Sequence, residues 1–317
     1  MNTYKARIKI NGRLLTPLRA DTIFGHVAWG IARHEGAESL EAFLDSFATF
    51  PPLVMSSAFP AGCIPVPQLY NDLANPSDPN AYSRLKKSKR LRYIPISTIN
   101  NGNPINHDVV GEAASSLLYE ETRVQTLHNT VDRLRGGTLE EVGLFQTRET
   151  WLYRIDPREG IKRPAFLDIY IASDMNVERI DTLIRWAFES GFGAKSSSGA
   201  GWVELQGIEA FSLPNKGNRA MALAPFVLEN PAEVDNLKAD IFVRHGMLAQ
   251  EFGAYMNPFK KPILFFDEGS TFVPKHEKCF IGSMVKDIHR DRRIRQHGLA
   301  PILWLEDGGA PPISRSV

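Results

Sequence analysis

Cysteine is scarce in this chain, with 2 in 317 residues. Cys63 and Cys279 stand far apart and form no CxxC pair. That excludes a disulfide framework and a cysteine-built zinc site, and it fits a reducing compartment. An excess of one charge is missing too. Lys and Arg number 37 against 36 Asp and Glu, a formal net charge of +1. A generally basic protein is therefore excluded, whereas a nucleic-acid partner is not, because local stripes of Lys and Arg matter more than the sum. Long apolar runs are absent as well. Pro262-Ile263-Leu264-Phe265-Phe266 is far too short to span a bilayer. The first ten residues alternate polar and apolar and lack the continuous apolar core of a signal peptide. A soluble, cytoplasmic protein with no membrane partner is expected.

What is present is ordinary globular composition, 43% hydrophobic and 23% charged, at a length that suggests two domains. Tyr4 to Ile10 has the period of a strand. Asp21 reads as the N-cap of a helix from Thr22 to His34, with Ile23, Val27 and Ile31 on one face. Leu40 to Phe47 reads as a short helix and Leu53 to Ala58 as a buried strand. Thr150 to Ile155 and Phe166 to Ala172 alternate as strands, Val177 to Glu189 has helical spacing, and Trp202 to Phe211 is strand-like. Leaving out the region between them, the order is β-α-β-β-α-β, the ferredoxin-like arrangement of RRM-type sheets.

Residues from about 67 to 148 break this pattern. They combine turn clusters with a basic run and show no periodic apolar face. An insertion that projects from the sheet and orders on binding is expected. After Pro214 come strand-like stretches at Ala222 to Leu228, Pro262 to Phe266, Cys279 to Val285 and Ala300 to Leu305. Helical stretches are expected around Pro231 to Leu237 and near Met247, and Asp307 to Val317 reads as a flexible tail.

Three segments carry candidate chemistry. Gly191 to Gly201 holds four glycines, three serines and Lys195 in eleven residues. Its glycines permit positive φ and close approach of a ligand backbone, while serine hydroxyls, N–H groups and one ammonium suit phosphate. In nucleotide-binding loops the glycines run from a strand into a helix, and here the order is reversed, which disfavours a mononucleotide site in this loop. Arg84-Leu85-Lys86-Lys87-Ser88-Lys89-Arg90-Leu91-Arg92 concentrates six basic residues in nine, beside Tyr93 as a stacking face. His128-Asn129 and Arg133 form a polar cluster suited to splayed bases and phosphates.

With these segments in view, the chain resembles the RAMP superfamily of CRISPR proteins, and within it the fourth-subunit family of the type III-A Csm complex. Four matches carry the resemblance. They are Pro17-Leu18-Arg19-Ala20-Asp21-Thr22-Ile23-Phe24-Gly25-His26 with Trp29, His128-Asn129-Thr130-Val131-Asp132-Arg133 with Gly143-Leu144-Phe145, the Gly191–Gly201 loop, and Asn257-Pro258-Phe259-Lys260-Lys261-Pro262 with Glu268-Gly269-Ser270. The resemblance implies an α+β fold of two ferredoxin-like (RRM-like) domains, residues 1–212 and 213–317, with the insertion at about 67–148 in the first. It implies a subunit with no reaction, cofactor or metal of its own. Such a subunit holds the 5′ handle of the crRNA, joins the large cyclase/HD subunit to the repeating backbone RAMP subunit, and meets target RNA only indirectly. The RNA-binding residues expected are Arg19, His128, Asn129 and Arg133, which the resemblance implies, and Arg84, Lys86, Lys87, Lys89 and Arg90, which the charge of the basic run suggests. In the loop they are Gly191, Gly193, Lys195, Ser196, Ser197, Ser198, Gly199 and Gly201. Relatives carry two or more charges in that loop, whereas here Ala194 precedes a lone Lys195, which shifts phosphate binding toward backbone N–H groups.

Two rivals stand beside this reading. One is a metal-independent endoribonuclease that matures guide RNA with His26 or His128. The other is the equivalent handle-binding subunit of a type III-B complex. His26, on an apolar helix beside Trp29, suits packing better than catalysis, and Asp21 suits N-capping better than metal binding. His107-Asp108 spells HD but lacks the partner set of a metal phosphohydrolase.

Overall fold

The computed structural model describes residues 1–69, 86, 91–100, 104–114, 117–138, 143–248, 257–276 and 278–308. β1 (Asn2–Ile10) buries Tyr4, Ala6, Ile8 and Ile10 on one face and turns Lys5, Arg7 and Lys9 to the other. α1 (Ala20–Glu35) buries a stripe of Ala20, Ile23, Phe24, Val27, Gly30 and Ile31. α2 (Ala37–Ser46) follows Gly36, whose φ of 88° ends the first helix. β2 (Leu53–Pro60) returns to the sheet. The chain then departs, forming α3 (His107–Ala114) and a long hairpin of β3 (Tyr119–Asn129) and β4 (Leu144–Ile155). It re-enters as β5 (Phe166–Ser173), α4 (Val177–Phe188) and β6 (Val203–Ala210).

These strands form an antiparallel sheet in the order β6-β1-β5-β2, a βαββαβ unit with α1 and α4 on one face. Asn176 caps α4 by accepting the Arg179 N–H at 2.9 Å. Gly30 lets the two helices close, since a Cβ there would meet that of Trp186 at 2.6 Å. Asp21 does not cap α1. The N-cap is Arg19, without a side-chain hydrogen bond, and Asp21 lies inside the first turn.

The C-terminal half is built of β7 (Arg219–Ala222), β8 (Val234–Lys238), β9 (Ile241–Arg244), β10 (Ile263–Phe266), β11 (Thr271–Pro274), β12 (Phe280–Val285) and β13 (Gln296–Leu305). Five of them form a sheet in the order β8-β11-β7-β13-β12, and β9 pairs with β10. Among its described residues this half has no α-helix. The helix expected at Pro231 to Leu237 is a single 3-10 turn, Pro231–Glu233, followed by β8. Asn230 and Pro231 supply a genuine helix start, but pairing of Val234 and Asp235 with β11 overrides it. Met247 bridges Phe259 in extended conformation instead of beginning a helix.

One apolar cluster crosses the middle of the chain. Ile23, Phe24, Leu53 and Ile171 of the first half share it with Ala222, Phe226, Leu299 and Ile302 of the second. A second cluster corrects the picture of a wholly projecting insertion. Ile94, Ile96, Ile99, Ile105 and Val110 are buried with Tyr170, Leu223, Leu303 and Leu305. Each of these isoleucines belongs to a different short element, so no window of sequence shows a period. What projects is the hairpin, where Leu127 and Leu144 are exposed. The first residue of the expected tail is held in the fold. Asp307 is buried and exchanges backbone hydrogen bonds with the Asn218 side chain at 2.9 and 3.1 Å. No helix among the described residues is long and apolar enough to cross a membrane.

Hydrogen exchange on the free chain should divide the insertion accordingly. Amides of residues 94–99 and 105–110 should exchange about two orders of magnitude more slowly than those beyond Val124 on the hairpin. Equal, fast exchange throughout would mean that the second cluster does not form without a ligand.

Candidate nucleic-acid interface

The Gly191–Gly201 loop is held from within. Phe192 N–H donates to Gly201 O at 2.8 Å and Gly201 N–H to Arg13 O at 2.8 Å, which ties the two loop ends to the β1–α1 turn. Gly191, Gly193, Gly199 and Gly201 all have φ between 69° and 79°, and Lys195 joins them at 58°. Ser196–Ser198 makes one 3-10 turn between Lys195 and Gly199. Ala194 N–H donates to Thr16 Oγ1 at 3.0 Å. The next three N–H groups, of Lys195, Ser196 and Ser197, make no hydrogen bond among the described residues. Three successive free donors beside an ammonium form an anion-receptive edge.

His26 fixes the buried side of this loop. Its ring lies 4.7 Å from that of Phe192, and its Nε2 accepts the Gly193 N–H at 3.2 Å. Burial and then Arg33 hold the imidazole below its ordinary pKa, against the opposing pull of the Ala187 backbone. A neutral ring whose Nε2 is engaged by the Gly193 N–H positions the loop.

The hairpin supplies the neighbouring wall. Phe145 of β4 stacks on His128 of β3 at 5.2 Å, and Lys195 Nζ sits 5.4 Å over the Phe145 ring. His128 Nε2 lies 2.7 Å from Thr147 Oγ1. The second and third resemblance segments, far apart in sequence, thus meet in one strip. Asn129, next to His128 on the strand, leaves the opposite face, and Arg133 is exposed in the hairpin's turn.

Two contributors escaped the sequence reading. Arg13 donates to Ser198 O at 3.4 Å and lies 3.5 Å from Glu149 of β4, clamping loop and hairpin together. Trp202, directly after the loop, is 63% exposed and offers a stacking face. A lone arginine after Asn11-Gly12 and a tryptophan opening a strand carry no distinctive pattern.

Other expected residues lie elsewhere. Arg19 makes a bidentate pair with Asp267 at 2.9 and 3.3 Å and covers the Phe242 ring at 4.7 Å, both in the C-terminal half. Lys86 is exposed. Arg84, Lys87, Lys89 and Arg90 lie outside the described residues. His107 opens α3, and no group of three His, Cys, Asp or Glu side chains able to hold a metal ion occurs among the described residues.

The first and fourth resemblance segments also meet, but as a joint between the halves. Asp21 lies 2.8 Å from Arg244 and 3.3 Å from Gln296, which accepts from Lys260 Nζ at 2.9 Å. Burial brings the Lys260 ammonium down to about 8 despite the opposing pull of Asp21. Ser57 donates to half-buried Glu268 at 2.5 Å, and desolvation raises that carboxyl.

No family model and no curated protein matches the sequence. Solved structures do match. A chain of the Csm1-Csm4 cassette in complex with pppApA superposes with a TM-score of 0.59 at 16% identity, covering 97% of this chain and 100% of that one. A chain of the same cassette with cA4 gives 0.58 at 17%, with the same coverage. A chain of the Csm3-Csm4 subcomplex of the type III-A CRISPR-Cas interference complex gives 0.52 at 16%, covering 95% and 99%. Csm4 is the component common to these assemblies. The fold is shared with chains of these Csm4-containing assemblies. At such identities the likeness is one of backbone, so the residue-level site rests on the contacts described above.

One consequence for stability concerns His297 of β13, which stacks on Phe24 of α1 at 4.4 Å. Burial pushes its pKa down to about 3, and neither ring nitrogen has a hydrogen bond among the described residues. The unfolded chain takes a proton near pH 6.5 that the folded one refuses, as it also does at His26. Stability is therefore fully present above about pH 6.5 and falls as pH drops below it. For His297 the loss should reach about 2 kcal/mol by pH 5. Denaturant unfolding of His297→Leu should show a flatter dependence over that interval, and an unchanged slope would remove this residue from the account.

Proposed function

We propose that this chain is the non-catalytic crRNA-binding subunit of a type III-A CRISPR effector, holding the 5′ handle of the guide RNA. In that role it would bind the large cyclase subunit on one side and the repeating backbone subunit on the other. The observation that carries the reading is the strip formed by the loop and hairpin. Free N–H groups of Lys195 to Ser197, the Lys195 ammonium, Arg13 and the exposed Phe145 ring lie along one strip, with the exposed Trp202 directly after the loop. Phosphate-facing donors beside stacking faces suit single-stranded RNA, and the fold likeness to Csm4-containing assemblies supports the same assignment. The engagement of His26 Nε2 by the Gly193 N–H favours binding over cleavage.

The test is binding of labelled repeat-derived RNA to the purified chain without metal. Retention without cleavage is expected. Lys195→Ala should weaken binding only about threefold, because backbone donors share the phosphate, and should lower the salt slope by about 0.7. Phe145→Ala combined with Trp202→Ala should cost more, about 1–3 kcal/mol for each stacked base lost. Specific cleavage that disappears in His128→Ala would overturn the non-catalytic reading.

A further inference from the structure

A cavity of about 430 Å³ opens between the first sheet and the base of the β3–β4 hairpin. It lies on the face of β1 and β5 turned away from α1 and α4, and shares no residue with the glycine-serine loop. Two guanidinium groups and two aromatic rings line it, those of Arg7, Arg154, Tyr119 and Phe166. Tyr119 and Arg154 are direct partners in the hairpin ladder, so their side chains leave the same face together.

Arg7 is a fixed donor. Its Nε and Nη2 bind the two oxygens of Asp168 at 2.8 and 3.0 Å, and Gly62 N–H donates to that carboxylate at 2.8 Å. Asp168 is wholly buried beneath it. The pair is neutral and holds the guanidinium in one orientation, with Nη1 left over. Arg154 is exposed and supplies the net positive charge, and no acidic side chain lines the cavity. The remaining wall is apolar, with Leu118 and the backbone around Ala61.

A positive charge and an oriented donor at one side, with two rings and aliphatic walls at the other, select a flat ring joined to a phosphate. We propose that this cavity binds one mononucleotide unit, its base against Tyr119 and Phe166 and its phosphate at Arg154 and Arg7. The volume lies within the roughly 300–1,000 Å³ of small-molecule pockets. A free nucleotide and one residue of single-stranded RNA present the same chemistry. The site stands apart from the loop and does not depend on handle binding there.

Isothermal titration of the full chain with 5′-AMP tests it, with adenosine and inorganic phosphate as part-ligands. Saturable AMP binding is expected, with each part-ligand much weaker. Arg154→Ala should weaken AMP about tenfold, and Ala61→Trp, which fills the cavity from its exposed rim, should abolish binding. Both positions are exposed, so unchanged thermal unfolding certifies the variants. A short labelled oligoribonucleotide distinguishes the sources. If Ala61→Trp weakens it in step with AMP, the occupant is part of an RNA strand; if only AMP is lost, it is a free nucleotide. No AMP binding to the parent chain, binding indifferent to both substitutions, or phosphate competing as well as AMP would each overturn the proposal.

Discussion

Gly201→Ala is expected to remove the proposed RNA binding and to lower stability by about 3 kcal/mol or more. A Cβ at this position would stand 2.0 Å from Phe192 O and 2.8 Å from Phe192 N, a backbone that cannot step aside. The same backbone makes the 2.8 Å bond that closes the loop, and the Phe192 ring is fully buried against His26. Relief would require breaking the loop closure and lifting Phe192 out of the core. Gly199→Ala is the control. Its φ of 79° resists a side chain, but nothing lies within 4 Å of the added Cβ, so only the left-handed cost of about 1–2 kcal/mol applies. Thermal unfolding and RNA retention of the two variants, measured together, should separate them clearly. Equal effects would mean that the loop glycines serve conformation alone and that close approach plays no part.

The second large effect is at Asp21, where two roles predict different outcomes for one substitution. As an N-cap, Asp21 would tolerate Asn without loss, since the two residues cap equally well and even removal costs about 1 kcal/mol. As the buried anion between Arg244 and Lys260, it cannot lose its charge so lightly. Breaking a buried pair typically costs about 3–5 kcal/mol. Arg244 is about a quarter exposed here, which brings the expectation for Asp21→Asn to roughly 2–3 kcal/mol. The loss should appear in a single unfolding transition, because the apolar cluster crosses both halves. A neutral Asp21→Asn would return the residue to capping.

These two residues show where sequence reasoning reaches and where it stops. The strands and helices of the first half were legible because one face of each is buried in a single core. Alternation in β1 and the stripe on α4 follow from that. Position before an apolar helical stripe made Asp21 look like a cap, and only the approach of β9 and β13 from more than two hundred residues away gave it other partners. Arg19 was drawn off in the same way by Asp267. The isoleucines of the insertion were invisible because no two neighbours share an element.

The glycine-serine loop marks the boundary most sharply. Its composition alone permitted left-handed backbone and pointed to free donors there, and its polarity from helix to strand disfavoured a phosphate loop of the usual kind. What tertiary structure decided is which groups stand beside those donors. It brought Phe145 and His128 to Lys195, used Arg13 as the clamp, and committed His26 to Gly193. The physical reason is common to all of these. Periodicity and turn chemistry are local properties written in neighbouring residues, whereas a site is a set of non-local contacts fixed by how sheets and hairpins pack.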